Sequence, residues 1–87
     1  MDATHHITEA LREARQRKGL SQRDLSKQSG VPQGQISRIE NGAVDLRLSS
    51  LIELGRALDL ELILVPRKSV SAVRLLARSS EPKVAPL

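Results

Sequence analysis

The sequence contains no cysteine, phenylalanine, tyrosine or tryptophan. Without cysteine the chain forms neither disulfides nor thiolate metal sites, which fits a reducing cytoplasm. Without aromatic rings it has nothing on which the bases of a single strand can stack, so a nucleic-acid partner would be a duplex. No apolar run approaches the roughly 20 residues of a membrane span. The N-terminal segment also lacks the apolar stretch of a signal peptide.

The chain has 87 residues, which is enough for one small domain. Lysine and arginine number 14 against 10 aspartates and glutamates, a net charge of +4 that favours a polyanionic partner. The sequence has no glycine-rich phosphate loop and no spaced acid pair, and we interpret the adjacent His5 and His6 as solvated side chains. An enzyme is therefore the least favoured reading, and we expect no cofactor and no metal.

Hydrophobic spacing predicts a first helix from about Ile7 to Lys18, with Ile7, Leu11 and Ala14 on one apolar stripe and Gly19 as its stop. A second helix is predicted to start at Ser21, where Ser21 and Asp24 resemble a capping box.

Gly30 ends the second helix, and a third is predicted to follow after Val31 and to end at Asn41-Gly42. Two short helices joined by a turn that contains glycine form a helix-turn-helix pattern.

The third helix carries a polar face with little apolar content. Glutamine and arginine suit bidentate contacts with adenine and guanine in the major groove, which argues against two helices that merely pack in a core. Gly34 lies in its first turn, where glycine costs about 1 kcal/mol relative to alanine. The polar residues of this face are Gln33, Gln35, Ser37 and Arg38.

A fourth helix is predicted over about Leu48 to Leu58, and a strand follows it. Leucines alternate at positions 60, 62 and 64, and Pro66 closes the run. A lone apolar strand leaves its backbone groups unpaired, and the simplest solution is pairing with the same strand of a second copy. The sequence therefore predicts a homodimer.

The predicted organisation is an N-terminal extension (1–6), a DNA-binding domain with a dimerising strand (7–66) and a flexible basic tail (67–87). The stretch 69–79 could form one or two amphipathic turns, and we expect the last seven residues, which include two prolines, to be disordered. A solvated segment is the preferred interpretation of the tail's basic residues, although contact with DNA or a partner stays open. These residues are Arg67, Lys68, Arg74 and Arg78.

The stretch GLSQRDLSKQSGVPQGQISRIENG, residues 19–42, resembles the helix-turn-helix of the XRE/Cro family, which includes phage repressors. The resemblance covers roughly residues 7–60. It implies an all-α, lambda-repressor-like bundle of four to five short helices, dimeric binding to palindromic duplex DNA and transcriptional control in the bacterial cytoplasm. The matching positions are Leu20, Ser21-Gln22, Leu25, Gly30-Val31, Ile36-Ser37, Ile39 and Glu40-Asn41-Gly42.

The resemblance also implies roles for individual residues. Those facing base edges are Gln33, Gly34, Ser37 and Arg38, and those near the DNA backbone are Ser21, Gln22, Arg23, Gln35, Asn41 and Arg47. Gln22 matches a residue that can also brace the first recognition glutamine. Arg15 matches an arginine that pairs with the glutamate ending the third helix, here Glu40. Two departures are Pro32, which supplies no side-chain cap, and Gly34, which has no side chain to read a base.

A second resemblance lies in LRLSSLIELGRALDLELILVPRK, residues 46–68, which is similar to the end of HipB-type antitoxins. In that subgroup one strand from each subunit pairs to form the dimer. The resemblance implies that Leu60, Leu62, Ile63 and Leu64 lie in this strand. It also implies binding to DNA upstream of the chain's own operon and to a HipA-like kinase toxin.

The leading hypothesis is thus a DNA-binding antitoxin and autorepressor, with two recognition helices in major grooves about 34 Å apart or a multiple of that distance. The alternative is a stand-alone XRE-family transcriptional regulator without a toxin. A third hypothesis is a protein-interaction module that has lost DNA binding. Its mark would be acidic residues on the recognition face, but only Asp24 lies near it, against Arg23, Lys27 and Arg38.

Overall fold

Five α-helices follow one another along the residues that the computed structural model describes, which are 3–43 and 46–80. They are α1 (Ala3–Arg17), α2 (Gln22–Ser29), α3 (Gln33–Glu40), α4 (Leu48–Ala57) and α5 (Val70–Ser80), and a 3-10 turn (Arg67–Ser69) precedes the last. The family-based expectation of a small helical bundle is confirmed. Among these helices, none is both long enough and apolar enough to cross a membrane.

The first three helices begin and end close to the predicted signals. α1 starts at Ala3, four residues before the predicted Ile7, and includes part of the predicted extension. At α2 the capping box is formed: the Asp24 N–H donates to Ser21 Oγ at 2.9 Å, and the Ser21 N–H donates to Asp24 Oδ2 at 3.1 Å. These two bonds hold the pKa of Asp24 below its ordinary value.

The turn between α2 and α3 depends on Gly30, whose φ of +80° is a conformation that side-chain-bearing residues rarely adopt. Its N–H donates to the Ser26 carbonyl at 2.9 Å, and the next N–H, of the buried Val31, donates to Ser29 Oγ at 3.1 Å. Pro32 then sits just before α3, with no side-chain cap, and its carbonyl accepts the first helical hydrogen bonds. This glycine therefore sets the path of the chain into α3.

The core draws on each of the first four helices and on the turn between α2 and α3. Helix α2 packs against α3 and α4, and α1 packs against α3. Complete burial of a leucine or isoleucine stabilises the fold by about 1.5–3 kcal/mol, so this cluster fixes α3 against its neighbours. The buried apolar residues are Leu11, Ala14, Leu25, Val31, Ile36, Ile39, Leu54 and Leu58.

Helix α4 ends in a tight reversal of the chain. Asp59 adopts a φ of +58°, its N–H donates to the Arg56 carbonyl, and the Leu60 N–H donates to the Gly55 carbonyl at 2.7 Å. This pattern is a Schellman motif with aspartate in the place usually taken by glycine. Lys18 Nζ donates to Asp59 Oδ2 at 2.8 Å and to the Ala57 carbonyl at 3.3 Å. The end of α1 thus holds the turn that follows α4.

The predicted strand is not formed in the single chain: residues 60–66 have no regular secondary structure. The described residues contain no strand, and this segment alone has no second backbone with which to pair. The alternating leucines do form an exposed apolar pattern, but an apolar pattern does not supply a second strand for pairing. The pairing of two copies through this segment stays a prediction.

Helix α5 is longer than the one or two turns that the sequence suggested, with 11 residues. Val70 and Val73 are half-buried, whereas Leu75 and Leu76 are 66% and 69% exposed. Residues 81–87, which the sequence predicts to be disordered, lie outside the described residues.

Candidate nucleic-acid interface

Helix α3 presents one polar face to the outside. Gln33, Gly34 and Arg38 are exposed and Ser37 is half-buried, while Ile36 is buried on the opposite side. At about 3.6 residues per turn, Gln33, Ser37, Gly34 and Arg38 fall in that order within an arc of about 140° around the helix axis. The structure therefore brings the four predicted base-reading residues together on one surface.

The end of α3 is held by a buried ion pair. Arg15 Nε donates to Glu40 Oε2 at 2.8 Å and Arg15 Nη2 donates to Glu40 Oε1 at 3.0 Å. Arg15 Nη1 also donates to the Leu20 carbonyl at 2.7 Å. The two side chains are only 12% and 6% exposed. The predicted partners lie in contact, and the bidentate geometry fixes the orientation of both.

Burial alone would raise the pKa of Glu40, but hydrogen bonds from Arg15 and Gln22 together with the Arg15 charge outweigh it. The pKa of Glu40 is therefore lower than its ordinary value, and the carboxylate stays ionised at neutral pH.

Gln22 belongs to the same cluster. Its Nε2 donates to Glu40 Oε1 at 3.1 Å, so the structure directs this amide towards the ion pair rather than towards Gln33 as the resemblance suggested. Gln22 is half-buried, at the start of α2. It therefore links the first turn of α2 to the last residue of α3.

Gln35 faces α4. It was predicted to lie near the DNA backbone, but its Nε2 donates to Ser50 Oγ at 3.1 Å and its side chain is half-buried. Ser50 is 9% exposed and did not stand out in the sequence. The signal that could have found it is a small polar residue on the otherwise apolar face of α4. The contact anchors α3 on the side away from the ion pair.

The remaining residues predicted to contact the DNA backbone are at exposed positions, and these are Ser21, Arg23, Asn41 and Arg47. Ser21 Oγ accepts a bond within the capping box, and its hydroxyl hydrogen is left to donate. Helices α3 and α4 start without a side-chain cap, so their first N–H groups can serve other acceptors such as phosphate.

The predicted dimer segment lies beside a groove of about 450 Å³ between α1 and α4, away from the residues of the polar face. Leu62, Ile63 and Leu64 are 50%, 64% and 94% exposed, and Leu60 is 37% exposed. A run of exposed apolar residues of this kind is unusual for a surface that contacts only water.

Comparison with known proteins identifies the fold of this region. The Helix-turn-helix family matches residues 11–65. This range includes α1 from Leu11 onwards, α2 to α4 and most of residues 60–66, called here the apolar segment. The chain is also 49% identical over 71 residues to y4dL, an uncharacterized HTH-type transcriptional regulator of Sinorhizobium fredii (strain NBRC 101917 / NGR234). The match covers 82% of this chain and 36% of the relative, so the chain spans about a third of that protein. No solved structure matches the chain.

Proposed function

This chain belongs to the Helix-turn-helix family, and we propose that it is a sequence-specific transcriptional repressor that places α3 in the major groove of duplex DNA. The observation that carries the proposal is the outer face of α3. Gln33 and Arg38 are exposed there and carry hydrogen-bonding groups, and Gly34 lies between them in the sequence. The similarity to a protein named as a transcriptional regulator supports it.

The packing of α3 suits this task because its position is fixed before DNA arrives. The Glu40 cluster ties its last residue to α1 and α2, and the bond from Gln35 to Ser50 ties its first turn to α4. A preorganised helix loses little conformational entropy on binding. Glutamine and arginine on such a helix can then form bidentate bonds with adenine and guanine edges.

Affinity is expected to come mainly from neutralised phosphates. Ser21, Arg23, Asn41 and Arg47 are the proposed backbone contacts, and arginine contacts release condensed counterions. The logarithm of the binding constant should fall with the logarithm of salt concentration by about 0.9 for each neutralised phosphate. Replacing Arg23 with alanine should reduce this slope by about one and weaken binding to all sequences alike.

The proposed function is tested by selection of duplexes from a randomised library with the full chain, followed by gel-shift titration. The Gln33→Ala variant should lose about 1–3 kcal/mol of binding free energy on the selected site and little on random DNA. Gln28→Ala is the matched control, because Gln28 is an exposed glutamine of α2 to which no DNA contact is assigned. Equal losses for the two variants, or the absence of any selected sequence, would contradict the proposal.

The repressor is proposed to act as a homodimer on a palindromic site. The exposed apolar segment supports this, because pairing Leu60, Leu62, Ile63 and Leu64 with a second copy would cover side chains that the single chain leaves in water. The Leu62→Asp variant should sediment as a monomer at micromolar concentration. Leu75→Asp, at a 66% exposed position of α5, is the control and should leave the dimer intact. A wild-type monomer at that concentration would refute the dimer.

A narrower proposal is that the protein is the antitoxin of a HipBA-like toxin–antitoxin system, represses its own operon and binds a kinase-type toxin. The resemblance of residues 46–68 to HipB-type antitoxins supports it. The alternative, a stand-alone regulator of the XRE family, is favoured by the name of the relative, which mentions transcriptional regulation alone. Purification from the native host followed by mass spectrometry separates the two. A co-purifying kinase-like protein supports the antitoxin, and a protein that purifies alone supports the regulator.

A further inference from the structure

Arg38 folds back along α3 towards its first turn. A Cβ atom built on Gly34 would lie 3.9 Å from Arg38 Nη1, and no other neighbour comes within 4 Å of that position. This direction is the usual one for long side chains in a helix, which cover the turn N-terminal to their own Cα. One guanidinium nitrogen therefore lies beside the point from which a side chain at Gly34 would extend.

The guanidinium is available for an external partner. Within the described part of the chain, no side chain or carbonyl accepts a hydrogen bond from Arg38, in contrast to Arg15, whose nitrogens contact Glu40 and Leu20. Arg38 is exposed, and its Nη1 lies near Gly34 in the first turn of the helix. A guanidinium carries five N–H donors and no acceptor.

We propose that Gly34 and Arg38 act as a single reading unit, in which the absent side chain of Gly34 lets the Arg38 guanidinium bind O6 and N7 of a guanine. That guanine belongs to the base pair faced by the first turn of α3. The inference rests on the proposed function and adds the identity of one base and the reason for the glycine. Arginine with guanine is the pairing that this chemistry favours, since two parallel N–H donors match two acceptors on the major-groove edge.

The geometry distinguishes between small and large side chains at Gly34. Because 3.9 Å is an ordinary van der Waals distance, the Cβ of alanine fits beside the guanidinium without moving it. A leucine carries further carbons into the space that the guanidinium occupies. Alanine should therefore preserve the reading of guanine, whereas leucine should displace Arg38 and abolish it.

The test is selection from a randomised duplex library with the full-length wild type and with the Gly34→Ala, Gly34→Leu and Arg38→Ala variants. Wild type should select a guanine at one position of each half-site, preferred over other bases by roughly 5- to 150-fold. Gly34→Ala should keep that preference. Gly34→Leu and Arg38→Ala should lose it at that position and keep the preferences at other positions.

Two further measurements test the coupling between the residues. The double variant Gly34→Leu/Arg38→Ala should show the same guanine preference as Arg38→Ala alone, because the leucine has no guanidinium left to displace. Replacing the selected guanine by 7-deazaguanine, which lacks the N7 acceptor, should weaken binding by wild type and leave Arg38→Ala unaffected.

The outcomes distinguish a failure of the proposed function from a failure of the Gly34–Arg38 reading unit. If wild type selects no sequence, the proposed function fails. If wild type selects a site but Arg38→Ala keeps the guanine preference, or Gly34→Leu retains it at full strength, the reading unit is refuted and the proposed function stands.

Discussion

Replacing Glu40 with alanine should lower the free energy of unfolding by about 3 kcal/mol. Removing one partner of a buried ion pair typically costs about 3–5 kcal/mol, because the remaining charge is left uncompensated. The lower end applies here, since Arg15 keeps its bond to the Leu20 carbonyl and is 12% exposed to water. Gln22 loses its acceptor as well. A domain of this size has a total stability of about 5–10 kcal/mol, so the loss is a large fraction of it.

Urea denaturation followed by circular dichroism measures this loss. With an m-value of about 1 kcal/mol/M, typical of small proteins, the midpoint should fall by about 3 M. Glu53→Ala is the matched control, because Glu53 forms a looser ion pair with Arg56 at 3.8 Å and is 50% exposed. It should cost less than about 0.5 kcal/mol. Equal losses for Glu40→Ala and Glu53→Ala would refute the reasoning.

The double replacement Arg15→Met/Glu40→Leu tests whether stability depends on the two charges themselves or only on filling the buried space that they occupy. Well-packed apolar residues often substitute for a buried ion pair with little change in stability or a gain. We expect the double variant to be more stable than Glu40→Ala, although it lacks both charges. A double variant as unstable as Glu40→Ala would show that the pair contributes more than the avoided cost of an unpaired charge.

Three further predictions concern stability. Since the folded pKa of Glu40 is lowered, its contribution is present above the ordinary glutamate pKa of 4.5 and is lost as pH falls through the lowered value. Urea midpoints measured against pH should therefore fall more steeply in acid for wild type than for Glu40→Gln. Gly34→Ala should raise the free energy of unfolding by up to about 1 kcal/mol, and an unchanged melting temperature would contradict this. Asp59→Ala should lose about 1 kcal/mol, because alanine is strained at a φ of +58° and Lys18 loses its carboxylate partner; an unchanged urea midpoint would argue against that strain.

Much of the fold could be predicted from helix caps and stops, because each of these signals depends only on residues within about one turn of the chain. Gly30 stops a helix by its own backbone freedom, and the Ser21–Asp24 capping box is complete within one turn. The contact between Arg15 and Glu40 spans 25 residues, and the family resemblance suggested it where spacing alone could not.

Two features could not be predicted from the sequence, for different physical reasons. The apolar alternation of residues 60–64 reports which side chains avoid water, but a strand also requires a second backbone to pair with. The resemblance places Gln35 near the DNA backbone, and the structure shows it half-buried, because a polar side chain can be buried when it has a partner such as Ser50. Both outcomes depend on tertiary contacts that a one-dimensional pattern does not contain.

The end of α1 has a consequence for the spacing of an operator. Arg15 binds Glu40, the last residue of α3. Lys18, one turn further on, binds Asp59 in the turn before the apolar segment. In a dimer joined through that segment, these bonds would brace the start of the joint against the proposed DNA-reading surface. Inserting one base pair between half-sites turns one of them by about 35° around the duplex axis. The DNA would then have to untwist to restore the fit, so the distance between half-sites would be discriminated as strictly as their bases.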